Sequence, residues 1–526
     1  MSPSEAAAIP LDIARTPQRA RDKIKSLHEL AAITAALKAR GKSVVLAHGV
    51  FDLVHMGHVR HLEAAAAEGD VLIVTITPDE FVNKGPGRPV FTASLRAEML
   101  AALGCTGWVG INEWPSAEQL LDLIKPNVYV KGSDYSNEEE DLTGKIRMER
   151  EAVERHGGRV VYTDDITFSS SSLINRHLNV FEPEVMEYLG GLDKEIHLAR
   201  ALGALDRIKD MRVLLVGEAI IDEYLYAKPM GKSAKENIIA SRYSGREVFA
   251  GGVIAAANHV ADFVKDVEVV TILGERDSYQ NLIRDTIRDN VTVHSLYRPG
   301  LPTIRKSRYV DPGHMRKLFE VYHFDDTPLN GVLEKQLCDM IGDRTRDFDV
   351  VIVTDFGHGM MTPKAIRTTM DAAPFLAVNA QSNSANHGYN MITRYNRADY
   401  VCIDAPEAQL ATGDRFSDIE DVISDGLAHA IDCDRFVVTH GQNGCVTYKR
   451  NHDPRRVPAF TRQVVDTVGA GDAFLAVTSP VVAGGADMET AGFIGNAVGA
   501  LKVGIVGHRQ SVEKIPVQKY ITTLLK

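Results

Sequence analysis

Two histidines near the N-terminus are the first residues whose type and spacing indicate chemistry. The segment 48–58 reads HGVFDLVHMGH and places His55 and His58 three residues apart, directly after a short apolar run. Residues three apart on a helix share a face, and a helix N-terminus attracts anions. Paired imidazoles there can stabilise the oxygens of a phosphate under attack. The spacing alone leaves open a pair that only packs or binds metal.

A second group lies near the C-terminus, where residues 464–474 read VVDTVGAGDAF. Gly469, Ala470 and Gly471 can present successive backbone N–H groups to an anion at the start of a helix. Asp472 follows at once, where it can accept the proton of an attacking hydroxyl group. This segment predicts phosphoryl transfer to an alcohol.

The elements that must position these groups follow from hydrophobic runs along the chain. Apolar spacing at Ile24, Leu27, Leu30, Ile33 and Leu37 predicts a helix that Gly41 ends. Short β-branched runs predict strands in the first third of the chain, at 43–47, 71–75, 128–130 and 160–162. Helical patterns lie between them, and this alternation predicts a parallel sheet covered by helices on both faces.

The remainder of the chain repeats this alternation after a helical interval without a strand, at about 178–209. Strand candidates resume at 212–216, 269–273, 350–353, 436–439 and 445–448. The predicted organisation is an N-terminal arm and helix, a first α/β domain, a helical linker and a second α/β domain, at 1–40, 41–180, 181–210 and 211–526.

Composition narrows the class of protein. The chain has 526 residues, 44% of them hydrophobic and 25% charged, and a formal net charge of −11. This length allows more than one buried core, and the negative charge argues against a nucleic-acid partner. Five scattered cysteines without a CxxC pair argue for a reducing compartment. No apolar leader or membrane span is evident, so we expect a cytoplasmic protein without a membrane partner.

Residues 43–178 resemble the cytidylyltransferase-like nucleotidylyltransferases of the HxGH family. The resemblance rests on HGVFDLVHMGH and on GDVLIVTITPDE (69–80), GRPVF (87–91), IKPNVYVKGSDY (124–135) and FSSSSLINR (168–176). It implies a Rossmann-like fold and attack by a substrate phosphate on the α-phosphate of a nucleoside triphosphate, with release of pyrophosphate and help from Mg2+. His55 and His58 are then catalytic. Nucleotide and phosphate contacts are implied for Gly49, Phe51, Asp52, Gly57, Lys84, Arg96, Lys131, Ser169, Ser170 and Ser171.

Residues 211–526 resemble the ribokinase-like (PfkB) carbohydrate kinases, above all through the segment 464–474. The resemblance implies an α/β domain with a β lid at 223–250, ATP as phosphoryl donor, Asp472 as catalytic residue and Glu407 as the residue that organises Mg2+. Sugar contacts are implied for Asp222, Gly251, Gly252 and Asn258. Nucleotide and phosphate contacts are implied for Thr439, Gly441, Gly444, Gly469, Ala470 and Gly471. The lid of this family also implies a homodimer.

Three positions depart from this pattern. Asp404 stands where the Asn-x-x-Glu motif has asparagine, Asn379-Ala-Gln381 stands where heptose kinases carry Asp-Pro-Lys, and His358 stands where they carry a further lysine. The spacing from the paired glycines to Asn258 is also longer than in heptose kinases. These changes remove positive charge from the neighbourhood of the nucleotide.

ADP-heptose synthases join the same two activities in one chain, but with the kinase first. The parts therefore imply a kinase for a sugar or polyol and a nucleotidylyltransferase for its phosphate, with ATP or CTP as nucleotidyl donor and an ADP-heptose-like product. One alternative is a CTP-dependent enzyme for a polyol phosphate fused to a kinase of different specificity. Another is that one half is a degenerate nucleotide-binding regulatory module.

Overall fold

The computed structural model describes residues 19–82, 88–132, 145–163 and 181–526. Lys84, Ser169, Ser170 and Ser171 lie outside the described residues. The chain forms two compact units, Met1–Val180 together with Lys526, and Phe181–Leu525.

The first unit contains a five-stranded parallel sheet with strand order β3-β2-β1-β4-β5. Its strands are β1 Val44–Gly49, β2 Val71–Ile76, β3 Trp108–Ile111, β4 Val128–Gly132 and β5 Arg159–Thr163. Its helices are α1 Leu27–Lys38, α2 Met56–Ala67, α3 Ala93–Ala101, α4 Glu118–Ile124 and α5 Lys145–Arg155, with short 3-10 turns at Ala20–Lys23 and Asp79–Phe81.

The central strand β1 shows why this sheet is covered on both faces. Val44 and Leu46 join one apolar cluster, whereas Val45 and Ala47 join another on the opposite face. Successive side chains of a strand point to opposite faces, so a continuous apolar run of this kind is buried on both sides. The predicted Rossmann-like α/β architecture is confirmed for this unit.

The second unit begins with two helices, α6 Pro183–Gly190 and α7 Lys194–Arg207, in the interval predicted as a linker. Its strands are β6 Arg212–Gly217, β7 Ala219–Lys232, β8 Ile239–Gly252, β9 Asp266–Arg276, β10 Val291–Pro302, β11 Arg305–Asp311, β12 Arg316–His323, β13 Val350–Asp355, β14 Leu376–Ala380, β15 Tyr400–Asp404, β16 Arg435–Thr439, β17 Cys445–Lys449 and β18 Arg455–Val457. Its further helices are α8 Val253–Ala261, α9 Gln280–Thr286, α10 Gly331–Thr345, α11 Pro363–Ala372, α12 Ala405–Thr412, α13 Ala470–Ala483, α14 Met488–Lys502 and α15 Lys514–Leu524, with short helical turns at Ile392–Arg394, 419–430 and Gly441–Asn443.

Nine of these strands form the main sheet, in the order β10-β9-β6-β13-β14-β15-β16-β17-β18. Alternate residues of β6 again enter clusters on opposite faces, with Val213 and Leu215 in one and Leu214 and Val216 in the other. Val185 and Leu205, from α6 and α7, lie in the first of these clusters. The two helices are therefore part of the core of the second unit.

A separate four-stranded sheet, the lid, has the order β12-β11-β7-β8. β7 pairs antiparallel with β8 and parallel with β11. The lid predicted at 223–250 thus covers β7 and β8, and residues 305–323 add two strands that the sequence analysis did not assign. In the described part of the chain, no helix is long and apolar enough to cross a membrane.

Candidate active sites

The first candidate site begins at the turn that follows β1. Phe51 is buried and has a φ of +48°, a left-handed conformation that is costly for a bulky residue. A Cβ atom at Gly49 would come within 3.1 Å of the Phe51 ring. The ring in turn meets His58 edge-on, with centroids 5.3 Å apart. Strained backbone of this kind collects at functional sites, and here it brings the chain from β1 to the start of α2.

His55 and His58 meet at the N-terminus of α2, with ring centroids 4.1 Å apart. His55 is the N-cap residue, and its Nδ1 accepts a hydrogen bond from the Gly57 backbone N–H at 3.1 Å. Burial lowers the pKa of His55, so its imidazole is neutral at neutral pH. Because Nδ1 accepts, Nε2 carries the hydrogen. That Nε2 is buried without a hydrogen-bond partner among the described residues, so it can donate to a ligand oxygen.

Asp52 and Arg96 hold the backbone around this turn. The Asp52 carboxylate accepts hydrogen bonds from the backbone N–H groups of Val90 at 2.7 Å and Phe91 at 3.1 Å. Arg96 is fully buried. Its guanidinium donates to the carbonyls of Val50, Thr77 and Phe91 and to the carboxylate of Asp79. Arg96 thus holds several backbone segments around the turn together, and the nucleotide contact expected from the sequence stays a prediction.

Lys131 also has a protein partner. Its ammonium forms an ion pair of 2.8 Å with the buried carboxylate of Glu149, which accepts a hydrogen bond from the Tyr129 hydroxyl at 3.1 Å. This pairing neutralises much of the charge that was expected to face a nucleotide. His48, at the end of β1, lies 3.1 Å from the Thr75 hydroxyl through Nδ1. The imidazole thus takes up a polar contact beside the end of β2.

The second candidate site lies at the N-terminus of α13. Gly469 is the N-cap and has a φ of +76°, and a Cβ atom there would come within 2.5 Å of His508 Cε1. The backbone N–H of Ala470 donates to the Thr467 carbonyl at 3.2 Å, so this amide closes the turn and does not face a ligand as predicted. Helix geometry directs the next N–H groups, those of Gly471 and Asp472, towards the opening of the turn. Burial raises the pKa of Asp472 to about 6, against the opposing effect of His508.

Asp222, on β7, is a buried carboxylate with two basic neighbours. It forms an ion pair with Arg308, and its Oδ2 lies 3.3 Å from His508 Nε2. Burial acts to raise the pKa of Asp222, but Arg308 and His508 outweigh it and hold this pKa well below its usual range. A Cβ atom at Gly251 would come within 2.0 Å of Asp222 Oδ2. Glycine is therefore required opposite this carboxylate.

Gly252 and Asn258 have structural tasks beside Asp222. Gly252 has a φ of +60°, and a Cβ atom there would lie 2.4 Å from the Glu218 carbonyl oxygen. The Asn258 amide donates to the Thr286 carbonyl at 3.0 Å and accepts from the Arg288 backbone N–H at 3.1 Å. Both ends of this side chain are thus engaged by backbone and hold the loop after α9, and the sugar contact of Asn258 stays a prediction.

The predicted nucleotide loop follows β16. Thr439 pairs with Asp404 across the parallel β15–β16 ladder, so the two motifs end side by side at the same edge of the sheet. Gly441 and Gly444 have φ values of +54° and +84°. A Cβ atom at Gly444 would approach the Val457 carbonyl oxygen to 2.1 Å. These glycines allow a tight turn next to the Asp404–Glu407 segment.

Glu407 and Asp404 form a capping box at the start of α12. One Glu407 oxygen accepts from the Asp404 backbone N–H at 3.0 Å and the other from the Ser382 backbone N–H at 3.1 Å. Burial and the neighbouring Asp404 raise the pKa of Glu407 to about 8. No group of three or more His, Cys, Asp or Glu that could hold a metal ion occurs among the described residues. Both Glu407 oxygens thus accept hydrogen bonds from the backbone, and a role of this residue in organising Mg2+ stays a prediction.

Several buried charged residues of this site were missed by sequence reasoning. Arg308 and Lys306 lie on the lid strand β11, and no carboxylate of the described residues lies within ion-pair distance of Lys306. Its ammonium lies 5.3 Å from the Tyr322 ring centroid, and burial lowers its pKa, against the opposing effect of Asp222. This cation can replace charge lost with the lysines expected at 358 and 381. Neither β11 residue belongs to a local motif, so only the packing of the lid reveals them.

Glu218 is another residue without a sequence signal. Its buried carboxylate accepts hydrogen bonds from the backbone N–H groups of Phe356 at 3.0 Å and His358 at 3.1 Å. Burial and the neighbouring Asp355 raise the pKa of Glu218 to about 7. His358, where a lysine was expected, is itself buried, and burial together with Lys306 lowers its pKa to about 3. Glu218 thus fixes the loop that carries the neutral His358.

Comparison with known protein families also divides the chain into two parts, each with its own family. Residues 210–515 match the pfkB family carbohydrate kinase model, and residues 46–177 match the cytidylyltransferase-like model. The first match covers more than half of the chain, which therefore belongs to the pfkB family of carbohydrate kinases. Enzymes of these two families use ATP and typically Mg2+.

Two relatives illustrate the similarity in sequence, and both carry the name Bifunctional protein HldE. The one from Geobacter metallireducens is 40% identical over 168 residues, which are 31% of this chain and 32% of the relative. The one from Pelobacter propionicus is 25% identical over 305 residues, 57% of this chain and 62% of the relative. The chain thus spans less than two thirds of the length of either relative.

Two solved structures are also similar to part of this chain. Ribokinase from Thermotoga maritima is 18% identical, with a TM-score of 0.47, and the match covers 59% of this chain and 99% of the ribokinase chain. Phosphofructokinase-2 from Escherichia coli in complex with fructose-6-phosphate is 15% identical, with a TM-score of 0.48, and the match covers 60% of this chain and 100% of that chain.

Proposed function

We propose that the chain is a bifunctional enzyme that phosphorylates a sugar or polyol and transfers a nucleotidyl group to a sugar-type phosphate. The observation that carries the proposal is Asp472, a carboxylate in the first turn of α13 whose pKa burial raises to about 6. A base with this pKa is ionised at neutral pH and still accepts a proton readily. It stands next to helix N–H groups suited to a phosphoryl group.

In the kinase reaction, Asp472 accepts the proton of the acceptor hydroxyl as that oxygen attacks the γ-phosphorus of ATP. The bond between this phosphorus and the bridging oxygen of ADP breaks, and ADP leaves. Asp222 orients the acceptor through a hydrogen bond to a hydroxyl group. The backbone N–H groups of Gly471 and Asp472, together with Lys306, stabilise the charge on the transferred group. Mg2+, positioned with the help of Glu407, would neutralise the nucleotide phosphates.

In the nucleotidylyltransferase reaction, a phosphate oxygen of the substrate attacks the α-phosphorus of the nucleoside triphosphate. The bond to the bridging oxygen breaks, and pyrophosphate leaves. The Nε2–H of neutral His55 donates to an oxygen of the reacting phosphate, and His58, stacked on it, does so from the same helix turn. No covalent intermediate with the protein is required.

The combined product is a nucleotide-activated sugar of the ADP-heptose type, for glycan or secondary metabolite synthesis. ATP or CTP serves as the nucleotidyl donor. If the kinase adds phosphate away from the anomeric carbon, a separate phosphatase must act between the two steps. Both reactions fit the cytoplasm, in keeping with five free cysteines.

We also propose a homodimer through the lid. Tyr309 and Phe319 pair across β11 and β12, and their rings stack with centroids 4.3 Å apart. Phe319, Val321 and Tyr243 are exposed large apolar side chains on this small sheet. An apolar sheet face of this kind is rarely left in water, and a second copy of the same lid would cover it.

The test is a substrate survey with the purified whole chain. Pyrophosphate release is measured with ATP, CTP, GTP and UTP against sugar 1-phosphates and polyol phosphates, and ADP formation against sugars, polyols and their phosphates. We expect one nucleotide and one phosphate class to give pyrophosphate, and an acceptor to give ADP. Absence of either signal across the panel would overturn the bifunctional assignment, and turnover with CTP and a polyol phosphate alone would move the first unit to the cytidylyltransferase branch.

A further inference from the structure

Lys502, the last residue of α14, carries a fully buried ammonium group that the reaction as described does not use. Its Nζ donates hydrogen bonds to the carbonyl of Val468 at 2.7 Å and to the carbonyl of Gly507 at 2.8 Å. A buried charge is costly unless it is bonded in this way. The two carbonyls precede Gly469 and His508, so the ammonium joins the turn that opens α13 to the loop that carries His508.

Asp466 joins the same two segments through the opposite groups. Its carboxylate accepts hydrogen bonds from the backbone N–H of Gly507 at 2.8 Å and from that of Val468 at 3.2 Å. Lys502 therefore links the two segments through their carbonyl groups, and Asp466 links them through their backbone N–H groups. The close approach of Gly469 to the His508 ring depends on this alignment, since a Cβ atom there would lie 2.5 Å from His508 Cε1.

The consequence reaches both functional carboxylates of the kinase site. Asp472 follows the turn that Lys502 holds through the Val468 carbonyl. His508 lies on the loop that Lys502 holds through the Gly507 carbonyl, and its Nε2 is 3.3 Å from Asp222 Oδ2. A shift of either segment would change the distance between Asp472, the proposed base, and Asp222, which is proposed to orient the acceptor. Misplacement by about 1 Å is enough to cost about 10²-fold in rate.

We propose that Lys502 is a positioning residue of the kinase site, acting as an internal cation that aligns the 466–472 turn with the 507–508 loop. This inference rests on the proposed kinase function. Burial lowers the pKa of Lys502 to about 8, and the charges of Asp466, Asp472 and Asp222 act against this effect and favour the protonated amine. An apolar side chain at this position would leave the two buried carbonyls without the donor they have now.

The first test replaces Lys502 by methionine, which has nearly the same length but neither charge nor donors. We expect kcat of the kinase to fall about 10²-fold, with KM for ATP changed less than about threefold, because transition-state alignment is lost. Pyrophosphate release by the same preparation reports on the first unit and is expected to stay unchanged. Lys209→Met, at an exposed lysine of the second unit, is the matched control.

The second test is chemical rescue of Lys502→Ala. Ammonium or methylammonium ions can occupy the space between the two carbonyls and donate to them, so we expect them to restore kinase activity at least about tenfold. Tetramethylammonium has the same charge but no N–H donors and is expected to do nothing. If Lys502→Met does not fold, Lys502→Ala prepared in ammonium chloride and Lys502→Gln, which keeps two donors, carry the comparison.

Normal kinase turnover by a folded Lys502→Met, or equal effects of ammonium and tetramethylammonium on Lys502→Ala, would overturn the inference. Loss of folding in every variant, with or without ammonium, would also overturn it, since Lys502 would then serve the core rather than the site. Failure of the proposed function looks different, because the wild-type chain would form no ADP with any acceptor of the panel.

Discussion

The two candidate sites handle phosphate in different ways. In the first unit, the described reactive groups are two imidazoles at a helix N-terminus, and burial favours the neutral form of His55. Two cations of its described residues bind protein, Arg96 through carbonyls and Lys131 through Glu149. In the second unit, buried carboxylates and cations form ion pairs, as Asp222 does with Arg308. Among the described residues, the first site thus offers imidazole donors, whereas the second is built around buried charges that are paired within the protein.

This contrast indicates that the two phosphate-transfer reactions of one chain can respond differently to pH and to substitutions. A site of neutral donors changes little with pH, whereas a site built around a carboxylate with a shifted pKa follows the titration of that carboxylate. Substitutions should therefore separate the two reactions, and pH should separate them without any substitution.

The largest expected effect is that of Asp472→Asn. Amide nitrogen cannot accept the hydroxyl proton, so we expect kinase turnover to fall about 10³-fold while pyrophosphate release is unchanged. ADP formation and pyrophosphate release in one preparation provide the measurement. Asp343→Asn, at an exposed position of α10, is the matched control. Retained kinase activity in Asp472→Asn would remove this residue from the reaction.

His55→Ala is expected to have the next largest effect, and this effect falls on the reaction of the first unit. Loss of the Nε2–H donor should lower pyrophosphate release about 10²-fold and leave ADP formation unchanged. His28→Ala, at an exposed histidine on α1, controls for loss of an imidazole. If His55→Ala abolishes both reactions together, the separation of the two sites is wrong.

The pH profiles sharpen the same comparison. Because the pKa of Asp472 is raised to about 6, its basic form is present above that pH and is lost as the pH falls through it. Kinase turnover should fall about tenfold for each pH unit below 6. Because burial lowers the pKa of His55 below its usual value, its neutral form predominates between pH 7 and 8, and pyrophosphate release should stay level there. A decline of pyrophosphate release from pH 7 to 8 would mean that an imidazolium is the active form.

The smallest effect is expected from Arg96→Lys, which tests positioning in the first unit. Lysine cannot reproduce hydrogen bonds to three carbonyls and a carboxylate, so the free energy of unfolding of this unit should fall by about 2 kcal/mol. The measurement is the urea midpoint for loss of pyrophosphate release, compared with Arg60→Lys, an exposed arginine of α2. An unchanged midpoint would show that the buried guanidinium contributes little to this unit.

The fold and the centres of both sites could be predicted because their signals are local. A β-branched run followed by a glycine turn indicates a strand that feeds a helix N-terminus, and this placed His55 and Asp472 correctly at the starts of α2 and α13. The strands of the lid at 305–323 carry charged residues in place of an apolar run, so they were not assigned. The contributions of Lys306 and Arg308 were missed with them.

The roles of other polar residues could not be predicted because they depend on distant partners. Arg96 and Asn258 have residue types and positions that suit ligand contact, but backbone groups far along the chain engage both side chains. Lys502 lies in an otherwise apolar helix, and its acceptors are 34 and 5 residues away. Sequence patterns report which groups are available, whereas only packing decides whether protein or ligand binds them.

The most direct test of two separate activities is a 31P NMR time course of the whole chain with ATP, Mg2+ and the best acceptor and phosphate from the survey. The wild-type chain should produce both a phosphomonoester and a nucleoside diphosphate derivative of the phosphate substrate, the second together with pyrophosphate. Asp472→Asn should lose only the phosphomonoester, and His55→Ala only the nucleoside diphosphate derivative and pyrophosphate. Loss of both products in either variant, or a wild-type chain that forms only one, would contradict the account.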